Sequence, residues 1–78
     1  MPKQREELKF EITQHIADLG ERTEKGWVKE LNLVKWGNSD PKYDIRSWSE
    51  DHTKMGKGIT LNADEFADLK STILESFN

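Results

Sequence analysis

The stretch PKYDIRSWSEDHTKMGKGITL, residues 41–61, reads as two short strands around a charged, glycine-bearing loop. Side chains alternate along a strand, so Lys42, Asp44, Arg46 and Trp48 fall on one face and Tyr43 and Ile45 on the other. One face is then basic and aromatic and its reverse apolar. Cations and ring faces on the same side of a sheet suit a flexible polyanion carrying flat bases, such as single-stranded nucleic acid.

Upstream, residues 37–41 (GNSDP) have turn composition and join this strand to an earlier one over residues 27–36 as a hairpin. That earlier strand has apolar residues on both phases, Trp27, Leu31 and Leu33 on one and Val28, Val34 and Trp36 on the other, as expected where both faces are partly covered. Residues 20–26 form a polar turn region. Before it, Leu8, Phe10, Ile12 and Ile16 share one alternating phase, broken by Gln14, which suggests a first strand over residues 8–19. The same stretch also fits a helix through Leu8, Ile12, Ile16 and Leu19, and periodicity alone leaves both readings open.

Downstream, the pattern is a helix over residues 63–77. Asn62 is suited to the N-cap, and Glu65 three positions later can return the hydrogen bond in a capping box. Phe66, Leu69, Ile73 and Phe77 recur at spacings of three and four beside Leu74, giving one apolar stripe for the sheet or for a partner. Asp64 and Glu65 suit the positive end of the helix dipole.

Seventy-eight residues make a single domain, 1–78, and 33% hydrophobic content makes a thin core that self-association would help. The lack of cysteine removes disulfides, thiolate metal sites and cysteine nucleophiles, and fits a reducing, cytoplasmic setting, with association to a bacterial nucleoid as a further expectation. No run approaches a membrane span, and residues 1–19 are too charged for a secretory signal. The net charge of −3 is unevenly spread: residues 25–58 carry seven Lys/Arg against five Asp/Glu, while the acidity lies at the two ends. A local basic surface on an acidic chain is the result, weaker than the usual nucleic-acid footprint.

The succession KYDIR, then Trp48, then KGITLN leading directly into ADEFADLKSTI resembles the transcriptional coactivator family known as positive cofactor four, most of all its short bacterial YdbC-like members. The likeness runs over residues 8–74 and is tightest over residues 44–73. It implies an α+β fold with a curved four-stranded antiparallel sheet followed by one C-terminal helix (ββββα), with strands over residues 8–19, 27–36, 42–49 and 57–61. It also implies a symmetric homodimer that binds single-stranded DNA across the sheets without catalysis and without cofactors. The charged, Ser-rich arm of animal members has no counterpart here. Val34 stands where animal members can carry a basic residue.

Carried over by position, the resemblance implies nucleic-acid roles for Trp36, Lys42, Arg46, Trp48 and Lys57. To these the residue types add Lys29, Asn32 and Lys54: Asn32 shares the phase of Trp36 and can hydrogen-bond a base or sugar, and Lys54 is a cation in the loop. Lys42, Arg46 and Lys57 would neutralise phosphates, and Trp36 and Trp48 would stack on bases at about 1–3 kcal/mol each. Asp44 lies in phase with Arg46 and is expected to hold its guanidinium, since a carboxylate facing phosphate repels.

Plainer readings stand beside these. Trp27 reads as core, and pattern alone fits packing and stacking equally for Trp36 and Trp48; Lys3, Lys25 and Lys70 read as solvated. His15 and His52 have no second ligand at metal spacing and read as ordinary histidines, so no metal is expected. Asp51-His52 lacks a nucleophile, and Gly56-Lys57-Gly58 is too short for a nucleotide-binding loop, its glycines serving a turn or a close approach of backbone to a ligand. The expectation is a non-enzymatic, homodimeric, coactivator-like protein for single-stranded DNA, or RNA, in transcription or DNA maintenance. It has no membrane or small-molecule partner. The alternative is a protein–protein interaction module that anchors its partner through exposed tryptophans.

Overall fold

The structure, a computed structural model, describes residues 9–77. It contains β1 (Phe10–Leu19), β2 (Val28–Trp36), β3 (Lys42–Trp48), β4 (Met55–Leu61) and α1 (Ala63–Ser76), in that order. The strands form one antiparallel sheet in the order β1-β2-β3-β4, followed by the single helix. Residues 10–19 are therefore strand, not helix, because their apolar side chains find a paired neighbour in β2. Leu8 lies outside the described residues.

The simple alternation expected in the first strand does not hold. Thr13 and Ile16 are extra residues, left out of the pairing between Ile12 and Gln14 and between His15 and Ala17. Each such bulge shifts the side-chain phase by one and bends the strand. Phe10 and Ile12 thus share a face with His15 and Asp18, while Ile16 is exposed. A third irregularity lies in β4 between the partners of Arg46 and Trp48, and β4 starts at Met55, ahead of the expected residue 57.

Registers fix the two faces. Val28, Glu30, Asn32 and Val34 of β2 stand opposite Trp48, Arg46, Asp44 and Lys42 of β3. On the reverse, Leu33 and Leu31 stand opposite Tyr43 and Ile45, with Leu61 and Ile59 beyond. The helix lies against this reverse face, where Phe66 stacks on Tyr43 at 3.9 Å between ring centroids, 10° from parallel. Both arms of the capping box are present: Asn62 Oδ1 accepts from the Glu65 N–H at 2.8 Å, and Glu65 Oε1 accepts from the Asn62 N–H at 2.9 Å.

The most buried residues lie on the other face, away from the helix: Val28, Val34 and Trp48 with the polar Glu30, Asn32 and Asp44. Phe10 reaches across β2 to Trp48 at 5.2 Å and to Trp36 at 6.0 Å. Trp27, read from the sequence as core, is only half-buried just before β2, and the central ring is Trp48.

Candidate nucleic-acid interface

Arg46 is the most firmly held of the candidate side chains. Its Nε donates to Asp44 Oδ1 at 2.7 Å and its Nη2 to Oδ2 at 2.9 Å, a two-point fork that fixes the guanidinium plane. Asp44 is fully buried and also accepts from Thr60 Oγ1 at 2.9 Å. The guanidinium lies 4.9 Å from the centroid of Trp36, within cation–π range. Opposite Arg46, β4 presents Gly58, and any Cβ there would run into the Cβ of Arg46 and the carbonyl of Ile45. The close approach at Gly58 is to the neighbouring strand β3.

The expectation that Asp44 holds Arg46 is met, with a consequence for Arg46. Its charge is already balanced by a buried carboxylate, so it offers a flat, oriented cation–ring platform more than a free charge for phosphate. Lys42 is exposed on the same face, at the open end of β3. The structure thus brings Arg46 and Trp36 together and sets Lys42 on the same face.

Other expected site residues fall elsewhere. Trp48 is fully buried between Phe10 and His52, whose ring is 5.5 Å away, so its indole is a core ring with no face open to a base. Asn32 is also fully buried, and its amide is committed: Nδ2 donates to Glu30 Oε1 at 3.0 Å and Oδ1 faces His15 Nδ1 at 2.7 Å. Lys29 lies on the reverse face, between Leu19 and Ser47 in register, because its odd phase in β2 is that of Leu31. Lys54 and Lys57 are exposed, the first in the β3–β4 loop and the second in the irregular start of β4. Asn32 and Trp48 are thus buried, and Lys29 lies on the face opposite Arg46.

The loop over residues 49–54 is tied by its own polar groups. Asp51 Oδ1 accepts from Thr53 Oγ1 at 2.8 Å, the Thr53 N–H at 3.1 Å and Ser49 Oγ at 3.0 Å. The Thr53 hydroxyl first, then its N–H and Ser49, hold the Asp51 carboxyl below the ordinary aspartate value. His52 follows in a left-handed conformation, φ 61°, that turns its ring onto Glu30 and Trp48.

Sequence reasoning missed Lys9 and Phe10. The Lys9 carbonyl accepts from the Gly37 N–H at 2.8 Å, which sets the start of β1 beside the β2–β3 turn. Lys9, Phe10 and Lys35 line a cleft of about 160 Å³ with Glu11 and Gly37 at that end of the sheet. Only the pairing of β1 with β2, which sequence spacing does not disclose, places Phe10 opposite Trp36. The indole Nε1 groups of Trp36 and Trp48 are buried with no acceptor among the described residues, a cost of about 1–3 kcal/mol each.

A family profile described as Transcriptional Coactivator p15 (PC4) matches residues 23–72, well over half of the chain and running from just before β2 into α1. The chain belongs to that family. The p15 (PC4) family is nucleic-acid-binding and non-enzymatic, and it gives this chain a DNA-binding, coactivator-type assignment. The chain is also 37% identical over 68 residues to an uncharacterized protein of Treponema pallidum (strain Nichols), an alignment covering 87% of this chain and 79% of that protein. The p15 (PC4) match contains Arg46, Asp44, Trp36 and Lys42 but leaves out all of β1.

Proposed function

We propose that this chain is a homodimeric binding protein for single-stranded DNA, coactivator-like, acting in transcription or DNA maintenance with little regard to sequence. The observation that carries the reading is the Arg46 guanidinium locked by Asp44 over the ring of Trp36, with Lys42 exposed on the same face. Bases stack on this platform, and stacking tolerates any base, so unpaired strands are preferred over sequence. Lys42 supplies the free charge for phosphate, with Lys9, Lys54 and Lys57 as further cations along the strand's path.

The homodimer is supported by what α1 leaves uncovered. Ile73 is 47% exposed, Leu74 56% and Phe77 83%, and they continue an apolar groove of about 260 Å³ shared with Leu19 and Ile45. A second copy covering both stripes removes them from water.

The test is a fluorescence titration with unlabelled oligothymidine, repeated with oligouridine and a duplex of equal length. Strong quenching by the single-stranded DNA is expected, largely lost in Trp36→Phe because Trp48 is sealed inside. Affinity should fall with salt, at a log–log slope of about −0.7 per phosphate neutralised. No quenching at low salt overturns the reading, and tighter binding of oligouridine reassigns it to RNA.

A further inference from the structure

The β3–β4 loop over residues 49–54 is bonded mainly to itself. The Ser49 N–H donates to the Lys54 carbonyl, the Lys54 N–H to Ser49 Oγ and the His52 N–H to the Ser49 carbonyl, each at 3.0 Å. Asp51 adds its bonds from Ser49 and Thr53. Bonds inside a loop fix its shape but not where it lies against the sheet. Among the described residues, its side-chain hydrogen bond to another element comes from His52, whose Nε2 lies 2.9 and 3.1 Å from the two oxygens of Glu30.

Glu30 is a fixed anchor. Its side chain is 4% exposed, Asn32 Nδ2 donates to its Oε1 at 3.0 Å, and His15 Nδ1 of β1 lies 3.5 Å from the same oxygen. It stands opposite Arg46 in the pairing of β2 with β3. The His52 ring also lies 5.5 Å from that of Trp48, so the loop is seated on β2 and on the end of β3 at once.

The chain leaving this loop comes directly to Arg46. Met55 Sδ and the Gly56 carbonyl lie 3.5 and 3.4 Å from Arg46 Nη1, the guanidinium nitrogen that Asp44 does not hold. At 3.4 Å the bond to Gly56 is near the limit for a hydrogen bond, so a small outward shift of the loop removes it. The strand ladder does not set this distance. Arg46 pairs with Gly58 and Trp48 with Met55, which leaves Gly56 and Lys57 standing against Ser47 alone. Met55 and Gly56 are therefore placed by the loop that delivers them, and the loop is placed by His52. The Asp44 fork sets the guanidinium plane but lets it fold about the line of the two carboxylate oxygens. A contact on the far nitrogen blocks that motion and keeps the plane over Trp36.

We infer that His52 is a positioning residue for the Arg46–Trp36 platform, tied to Glu30 on one side and acting through Met55 and Gly56 on the other. The tether itself is a matter of geometry; its consequence for binding single-stranded DNA rests on the function proposed above. It requires an N–H donor at the place of His52 Nε2 rather than an imidazole as such. Glutamine, whose amide nitrogen is the same number of bonds from the backbone, serves there.

The experiment compares the full chain with His52→Gln, His52→Ala, Met55→Ala and the double alanine variant. The first readout is the Arg46 Nε–H resonance, with the Glu65 amide of the capping box as a control on the fold. It should be unchanged in His52→Gln. In His52→Ala and in Met55→Ala it should move towards that of free arginine and exchange faster with water. The second readout is the anisotropy of an end-labelled oligothymidine, which is insensitive to the uncovering of Trp48 in His52→Ala. Each single alanine should weaken binding about fivefold, as for one lost hydrogen bond, while His52→Gln stays within about twofold. The double variant should lose little more than either single one, because both changes break the same path. An Arg46 resonance unmoved in His52→Ala, a His52→Gln chain as loose as His52→Ala, or additive losses each overturns the inference. Met55→Ala keeps the tether and removes one of its end contacts, so an unmoved Arg46 resonance there overturns it even where His52→Ala does not fold. If the unaltered chain ignores oligothymidine, the proposed function fails and the Arg46 resonance still decides the tether.

Discussion

Arg46 and Gly58 act as a pair across β3 and β4. The arginine lies flat over Trp36 because Asp44 grips it from below, and the strand beside it passes so closely that position 58 has room for hydrogen alone. Gly58→Ala forces β4 away from β3 and disturbs the guanidinium together with the ladder. Overpacking of this kind costs about 1–3 kcal/mol, or roughly ten degrees of melting temperature in a domain this small. Thermal unfolding checks it, and a melting point within two degrees of the parent would show that β4 has slack. Asp51 makes a separate prediction. Its carboxyl is held low by the Thr53 hydroxyl first, then by the Thr53 N–H and Ser49, so its folded value lies below its unfolded one. The loop ordering it contributes is present above the unfolded value and lost as pH falls through the folded one. A carbon-detected NMR titration should place the Asp51 midpoint below an ordinary aspartate, and Thr53→Val should move it back up.

At the scale of elements, α1 and β1 show what kind of information a sequence carries openly. The helix start was legible because a capping box needs only Asn62 and Glu65, three positions apart, and both arms form as the spacing predicts. Asn62→Ala should therefore cost about 1 kcal/mol, measurable by urea unfolding with an unchanged denaturant slope. The faces of β3 were legible for the same local reason, since strict alternation carries Lys42, Asp44, Arg46 and Trp48 together. β1 was not, because the bulges at Thr13 and Ile16 each reverse the phase and leave no mark in composition. Trp36 and Trp48 look alike in the sequence and each ends its strand, yet Trp48 is sealed between Phe10 and His52, while Trp36 is half-buried with its ring under Arg46. Burial of this kind depends on which strands lie alongside, and so did the meeting of His15, Glu30 and His52.

For the molecule as a whole, the sheet has one face lined by its own polar and aromatic side chains, with Lys42 exposed on it, and another only half covered by α1. The covered half is anchored by Phe66 on Tyr43, but the stripe continues past it through Ile73, Leu74 and Phe77 into solvent. A chain with 33% hydrophobic residues has little apolar area to spare, and in the proposed homodimer burying this stripe against a second copy would supply stability that one copy lacks. Stability linked to association depends on concentration, because mass action favours the folded dimer. The melting temperature of the unaltered chain should therefore rise with protein concentration, and sedimentation equilibrium should give twice the 9.1 kDa chain mass. Leu74→Glu places a charge in the middle of the stripe without touching the Arg46–Trp36 platform on the opposite face. It should shift the mass to that of one chain, remove the concentration dependence of melting, and leave binding of a short oligothymidine within a few-fold. A Leu74→Glu chain that still sediments as two copies would show that the exposed stripe is not where the copies meet.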